Sequence, residues 1–228
     1  MRGHMLPDFS QIERATERLH GFAVRTPVIE SPKLNELTGG RVLVKAECLQ
    51  RTGSFKFRGA WNLISQLDAK TSPGGVVAYS SGNHAQGVAA AARIRGLPAL
   101  IVMPADTPLI KQENTKSYGA EVVTYDRATQ SREEIAARYM TERNAVMVPP
   151  FEHPDIIAGQ GTAGLELAEE AKARGLTLDD VLVCCSGGGL TAGVALAMES
   201  LMPGAKVHSV EPAGFDDYAR SLRSGRIE

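Results

Sequence analysis

Apolar residues in this chain recur in two rhythms. Short runs rich in β-branched side chains read as buried strands: RVLVKAE (41–47), GVVAYS (75–80), ALIVMP (99–104), AEVVTYD (120–126), DVLVCCS (180–186) and KVHSVE (206–211). Between them lie longer stretches with the 3.6-residue helical period. SQIERATERLHGF carries Ser10 as its predicted N-cap, and alanine-rich NHAQGVAAAARIRG stops at Gly96. SREEIAARYMTERN is amphipathic, and TAGLELAEEAKARG ends at Gly175, a C-cap in character. Strands and helices alternating at this spacing predict an α/β fold, with parallel sheets covered by helices on both faces.

Punctuation divides the pattern. The stretch VMVPPFEHPD (146–155) holds three prolines in ten residues and reads as a crossing from one sheet to another. Residues 55–145 then form a compact run of strand–helix units, while residues before 50 and after 155 share a second sheet. The closing stretch YARSLRSGRIE reads as a helix and the start of a loop with no final strand, as expected of the front part of something longer.

Composition narrows the partners. A net charge of −1 leaves no basic surplus to displace counterions, so nucleic acid is not the expected partner. No apolar run reaches the roughly 20 residues that span a bilayer. The opening MRGHMLPDF lacks the apolar core of a secretory signal, which points to a soluble, cytoplasmic protein. The three cysteines, Cys48, Cys184 and Cys185, match neither a disulfide framework nor a zinc spacing and are expected as buried, reduced thiols.

Three segments carry candidate chemistry. In TGSFKFRGA, Lys56 has Phe55 as an apolar flank, glycines on both sides and a second cation, Arg58, two residues on. Burial beside other cations lowers a lysine pKa and makes the amine a nucleophile; a solvated lysine is the plainer reading. SSGNHAQG (80–87) follows a strand and opens a helix, a place that suits an anion or serves only as a cap. SGGGLTAG (186–193) exposes several backbone N–H groups at a strand-to-helix turn, which makes a phosphate cradle. Gly187, Gly189 and Gly193 also spell a relaxed dinucleotide fingerprint, with Glu211 placed 24 residues after Gly187 to hold a ribose. A dinucleotide-dependent oxidoreductase is therefore open on spacing alone, but it leaves the other two segments without a role.

Taken together and in this order, the segments resemble the fold-type II pyridoxal-phosphate enzymes, in the branch of threonine/serine dehydratases (threonine ammonia-lyases) and serine racemases. The resemblance rests on TPVIESPKLNELTGGRVLVKAECLQRTGSFKFRGA, SSGNHAQGVAAAARIRGLPALIVMP, IIAGQGTAGLE, SGGGLTAGVA and VEPAGFDDY, nearly the whole chain. Cysteine synthase relatives instead carry Ser-x-Lys-Asp-Arg around their lysine. Phe151, where serine racemases often have Asn or a Tyr-Asn pair, leans toward the dehydratases.

The resemblance implies a tryptophan-synthase-β-like architecture of two parallel-sheet, three-layer domains. The large cofactor-binding domain (1–54 and 146–228) would lack its C-terminal part, and the site would lie in the cleft between it and the small domain (55–145). Relatives continue for roughly another hundred residues. That portion supplies the group facing the pyridine nitrogen, so a non-catalytic fragment is one reading of this chain.

By the same resemblance Lys56 is the Schiff-base lysine and general base, with Phe55 near the pyridine ring. Asn83 would bond the ring hydroxyl, and Ser186, Gly187, Gly188, Gly189 and Leu190 would wrap the phosphate. Ser81, with Gly82 and His84, would receive the substrate carboxylate, and in racemases the matching serine is also the acid/base opposite the lysine. Glu211, the carbonyl of Phe215 and Asp217 match a divalent-cation site, whose hard oxygen ligands suit magnesium, calcium or manganese. The implied reaction converts threonine or serine to a 2-oxo acid and ammonia, the cofactor phosphate assisting loss of the β-hydroxyl. Serine racemisation and 3-hydroxyaspartate dehydration are the alternatives, and a homodimer is the implied assembly.

Overall fold

A computed structural model describes residues 7–228; most of the MRGHMLPDF segment lies outside them. In chain order the elements begin with α1 (Phe9–Leu19), β1 (Val28–Glu30), α2 (Pro32–Thr38), β2 (Leu43–Lys45) and α3 (Lys56–Ile64). There follow β3 (Val76–Tyr79), α4 (Asn83–Arg95), β4 (Ala99–Pro104), α5 (Leu109–Ser117), β5 (Glu121–Tyr125) and α6 (Arg132–Arg143). The last are β6 (Val146–Met147), α7 (Pro154–Ala173), β7 (Asp180–Cys184), α8 (Gly189–Leu201), β8 (Lys206–Val210) and α9 (Asp217–Ser224).

The central sheet runs β5-β4-β3-β6, parallel throughout. Its β-branched strands alternate between two cores, as the two-residue period of a pleated strand requires. Val76, Ala78, Ile101 and Met103 face α3 and α4, whereas Val77, Leu100 and Val102 pack with Tyr125 and with Ala136 of α6. Helices thus cover both faces, the arrangement predicted for parallel strands. Val146 and Met147 pair with Val76 and Val77, so the crossing to the rest of the molecule leaves from the C-terminal end of β6. β7 and β8 form a separate parallel pair, backed by α7 and α8 through Val181, Val183, Ala168 and Met198. β1 and β2 form a short antiparallel pair.

Strand order reverses at β3: β4 and β5 extend the sheet one way and β6 the other. The carboxyl ends of strands at such a reversal open a crevice, the usual ligand position in open α/β sheets. Here that crevice lies between the turn after β3 and the segment after β6.

Helix α3 is set against α7 by two glycines. A Cβ on Gly159 would lie 2.6 Å from the Gly59 Cα, so the helices cross at backbone contact. A second such crossing joins α7 to α8, where a Cβ on Gly193 would lie 2.6 Å from Gly161 N. Gly193, the third glycine of the fingerprint spacing, is therefore a helix-packing residue.

The same helices are tied by charge. Arg58, 0 % exposed, forks onto Glu47 with Nε and Nη2 at 2.8 Å each, and onto Glu166 with Nη1 at 2.8 Å and Nη2 at 2.9 Å. Lys45 Nζ also donates to Glu166 and to the Thr26 carbonyl. Burial opposes the charge on Arg58, but the two carboxylates outweigh it and raise its pKa. One guanidinium thus fixes the turn after β2, α3 and α7, and each charge that this packing removes from water meets a partner.

Three expectations need correcting. The N-cap of α1 is Asp8, not Ser10: Asp8 accepts the Gln11 N–H and Gln11 reciprocates, while Ser10 Oγ donates to Asp8 Oδ1 at 2.6 Å. A carboxylate is the stronger acceptor at a helix N-terminus. Helix α7 starts at Pro154, well before the predicted start at Thr162, because its first two turns are the glycine-containing stretch that packs on α3. The cysteines are not all buried: Cys48 and Cys184 are exposed and Cys185 is half-buried. Cys184 ends β7 on the face turned away from the core that Val181 and Val183 fill.

Candidate active site

A cleft of about 480 Å³ occupies the crevice at the strand reversal. The N-terminus of α3 contributes Phe55 and Lys56; the turn after β3 contributes Ser80, Ser81, Asn83 and His84. Pro150 and Phe151 come from the segment after β6, and residues 184–191 complete the wall. The three segments singled out in the sequence thus meet in one place, although the first and last are separated by some 130 positions.

Lys56 opens α3, and Gly87 of α4 sits against its backbone, where a Cβ would lie 3.2 Å from the Lys56 carbonyl carbon. Its Nζ donates to the Pro150 carbonyl at 2.7 Å and lies 5.3 Å from the centre of the Phe55 ring. Burial pulls its pKa down to about 8. The cause is desolvation and not Arg58, which the helical twist turns away toward Glu47 and Glu166.

His84 is almost wholly buried in the first turn of α4. Its Nε2 lies 2.9 Å from the Val148 carbonyl, which can only accept, so Nε2 carries the proton. Nδ1 is then an acceptor, buried and without a hydrogen-bond partner among the described residues. Burial foremost lowers the pKa to about 4, the Val148 bond opposes the shift, and Lys56 adds to it. This histidine is neutral at physiological pH.

The glycine turn is shaped by aromatic rings. A Cβ on Gly187 would lie 2.2 Å from Phe151 Cδ1, and one on Gly188 would lie 2.5 Å from Tyr218 Cε2. Gly188 also holds the left-handed conformation (φ 80°) that glycine adopts without strain. A side chain at either position would have to displace a ring, and residues 187–189, bare of side chains, line the cleft at the start of α8. A bare backbone turn at a helix N-terminus, a partly desolvated amine and an open volume between them fit a flat molecule bearing an aldehyde and a phosphate.

Not every expected residue lies there. Gly82 is the N-cap of α4, and its N–H is donated to Ser80 Oγ at 3.2 Å rather than presented to the cleft wall. Glu211, Phe215 and Asp217 lie outside the cleft wall. Both oxygens of Glu211 accept backbone N–H groups at the start of α9, from Tyr218 at 3.0 Å and Ala219 at 2.8 Å. Phe215 is 74 % exposed. Among the described residues no group of three His, Cys, Asp or Glu could hold a metal ion.

The cleft also contains residues that the motifs did not point to. Tyr79 ends β3, and Arg132 starts α6 with its guanidinium carbon 5.0 Å from the centre of the Tyr79 ring. Cys184 and Cys185 precede the glycine turn. The carboxyl end of β3 could have suggested Tyr79; nothing in the amphipathic run of α6 distinguishes Arg132 from its solvated neighbours.

The family model for pyridoxal-phosphate dependent enzymes matches residues 20–228. The chain belongs to that family. It is 47 % identical over 222 residues to an L-threo-3-hydroxyaspartate ammonia-lyase of a Pseudomonas species, covering 97 % of this chain and 68 % of that protein. The structure of maize serine racemase superposes with a TM-score of 0.93 at 41 % identity, covering 98 % of this chain and 67 % of that one. The structure of a T.th. threonine deaminase does so with a TM-score of 0.90 at 46 % identity, covering 97 % and 70 %. The family therefore provides the cofactor, pyridoxal phosphate, and the lyase chemistry of an enzyme acting on amino acids. This pyridoxal-phosphate enzyme chain spans about two thirds of the length of these relatives. The three carry three different activities at similar identity, so the family leaves the substrate open.

Proposed function

We propose that the protein dehydrates and deaminates a β-hydroxy amino acid such as threonine or serine, giving a 2-oxo acid and ammonia. The observation that supports this reading is the convergence of a desolvated amine, Lys56, and the triple-glycine turn on one cleft. When bound, pyridoxal phosphate supplies an aldehyde that captures amines and a ring that takes up the electron pair left on the α-carbon.

In this reading Lys56 would hold the aldehyde until the substrate amine replaces it there, and the neutral amine so released would be the base for the substrate α-proton. A pKa of about 8 keeps roughly a tenth of the amine neutral at pH 7, against fewer than about one in a thousand for an ordinary lysine. The amides of Ser186, Gly187, Gly188, Gly189 and Leu190 hold the phosphate, and Phe55 flanks the ring. Asn83, at the first position of α4, is the partner for the ring hydroxyl. Ser81 and the adjoining turn take the substrate carboxylate, with the N-terminus of α4 favouring the anion. The α-proton and the β-hydroxyl leave together as water, and a second water hydrolyses the remaining enamine to the 2-oxo acid and ammonia.

A second reading, an acidic substrate such as 3-hydroxyaspartate, is favoured by Arg132. Its guanidinium reaches the cleft wall over Tyr79, although Nε also donates to Glu133 at 2.7 Å. A planar cation at that place suits a second carboxylate.

Borohydride reduction of the protein with pyridoxal phosphate, followed by peptide mass mapping, is the first test. An adduct on Lys56, with 2-oxo acid formed from threonine, serine or 3-hydroxyaspartate and neither result in Lys56→Ala, is expected. A wild-type protein that forms no adduct overturns the proposal.

A further inference from the structure

We infer that Tyr218 is a positioning residue for the phosphate cradle, held on it by the Glu211 carboxylate; this rests on the cofactor-binding reading above. The glycine turn of residues 187–189 is the least constrained type of backbone the chain could place there. Its amides converge only if something outside the turn restricts it. Two rings do so. Phe151 lies over Gly187, and its own carbonyl and Cβ come within 2.9 and 3.1 Å of where a Gly189 Cβ would stand. Tyr218 closes on Gly188, the one residue of the turn with positive φ.

Tyr218 reaches this place through a short chain of backbone contacts. Cys185 N donates to the Val210 carbonyl at 2.9 Å, so the start of the turn is pinned to the end of β8. The next residue, Glu211, accepts the N–H groups of Tyr218 and Ala219 and so fixes the first turn of α9 beside that pin. The intervening loop makes a turn at Gly214 (φ 83°) and carries exposed Phe215, so it does not hold α9 by packing. The carboxylate on the helix N-terminus is what orients the ring. It is the Cε2 edge of that ring, set against the bare Gly188 backbone, that restricts the turn.

The inference separates phosphate holding from aldehyde capture. Tyr218→Ala frees the turn, and pyridoxal phosphate should bind roughly tenfold more weakly, the order expected when a few backbone torsions must be ordered on binding. Inorganic phosphate, as a competitor, should weaken by a similar factor. Pyridoxal, which lacks the phosphate, should be captured on Lys56 as well as by wild type. Tyr218→Phe keeps the ring and should bind as wild type; Glu211→Gln, which weakens the cap, should fall between.

Equilibrium dialysis and borohydride mass mapping of these variants, with pyridoxal phosphate, pyridoxal and inorganic phosphate, make the test. Equal loss for pyridoxal and pyridoxal phosphate, or no loss in Tyr218→Ala, overturns the positioning role. If Tyr218→Ala does not fold, Glu211→Gln carries the same comparison, and unchanged phosphate binding in it overturns the role. A wild type that captures neither compound sinks the cofactor-binding reading itself, an outcome distinct from both.

Discussion

Lys56 Nζ donates a 2.7 Å hydrogen bond to the carbonyl of Pro150. The bond ties the first residue of α3 to the segment leaving β6, across the crevice where the sheet order reverses. It gives the amine a neutral acceptor in place of a carboxylate, so the bond does little to compensate a buried positive charge. Desolvation then dominates and the amine is poised to lose its proton near neutrality.

The pH dependence follows in sign. Lys56 is mostly charged below its folded pKa of about 8, so capture of pyridoxal phosphate should quicken as pH rises toward and past 8 and then level off. Stopped-flow absorbance from pH 6 to 10 checks this. Because the folded pKa lies below the unfolded value near 10.5, the unfolded chain holds the extra proton between them, and the cofactor-free protein gains stability as pH rises through that window. Lys56→Met should remove both trends.

His84 sets an acid limit. Its folded pKa of about 4 lies below the unfolded 6.5, so the unfolded chain takes the proton first as pH falls through that window. Stability attributable to the neutral, buried ring is complete above 6.5 and is lost on the way to 4, on the order of 3 kcal/mol. Urea unfolding at pH 7 and pH 4.5 should show a smaller difference for His84→Asn than for wild type.

Arg58 is expected to be a stability residue with little direct part in chemistry. Arg58→Met leaves Glu47 and Glu166 partly buried without their main cation and should cost roughly 3–5 kcal/mol. The pair replacement Arg58→Met with Glu166→Leu should recover part of it, although Lys45 then loses its own partner. Denaturant midpoints decide the matter.

Arg132 should influence substrate choice. Arg132→Leu is expected to lower kcat/KM for 3-hydroxyaspartate by about 10- to 100-fold relative to serine, the scale of one lost charged contact. Parallel 2-oxo acid assays on the two substrates measure the ratio. An unchanged ratio removes the argument for an acidic substrate.

Much of this is legible in the order of residues. The strands of the central sheet are β-branched runs bounded by glycine and proline, and the helix ends at Gly96 and Asn144 carry the left-handed caps that stop a helix. β1 and β6 are not legible, because two or three residues carry no period. Asp8 is masked by a serine at the more familiar spacing before the apolar run. The motifs around Lys56, Asn83 and Gly187 each stand out on their own, but no local pattern says that they face one another.

The sequence by itself determined the longer strands and most of the helices, because side-chain period and chain-breaking residues act over a few positions. It also determined that a lysine, a Ser-Gly-Asn turn and a triple glycine would be available. The tertiary structure alone decided that Lys56 is desolvated while Arg58, two residues on, is neutralised by Glu47 and Glu166. It alone placed Phe151 and Tyr218 on the glycines and Arg132 at the cleft wall. Charge, solvation and close approach depend on which distant residues share a volume, and that is set by how the sheets and helices pack.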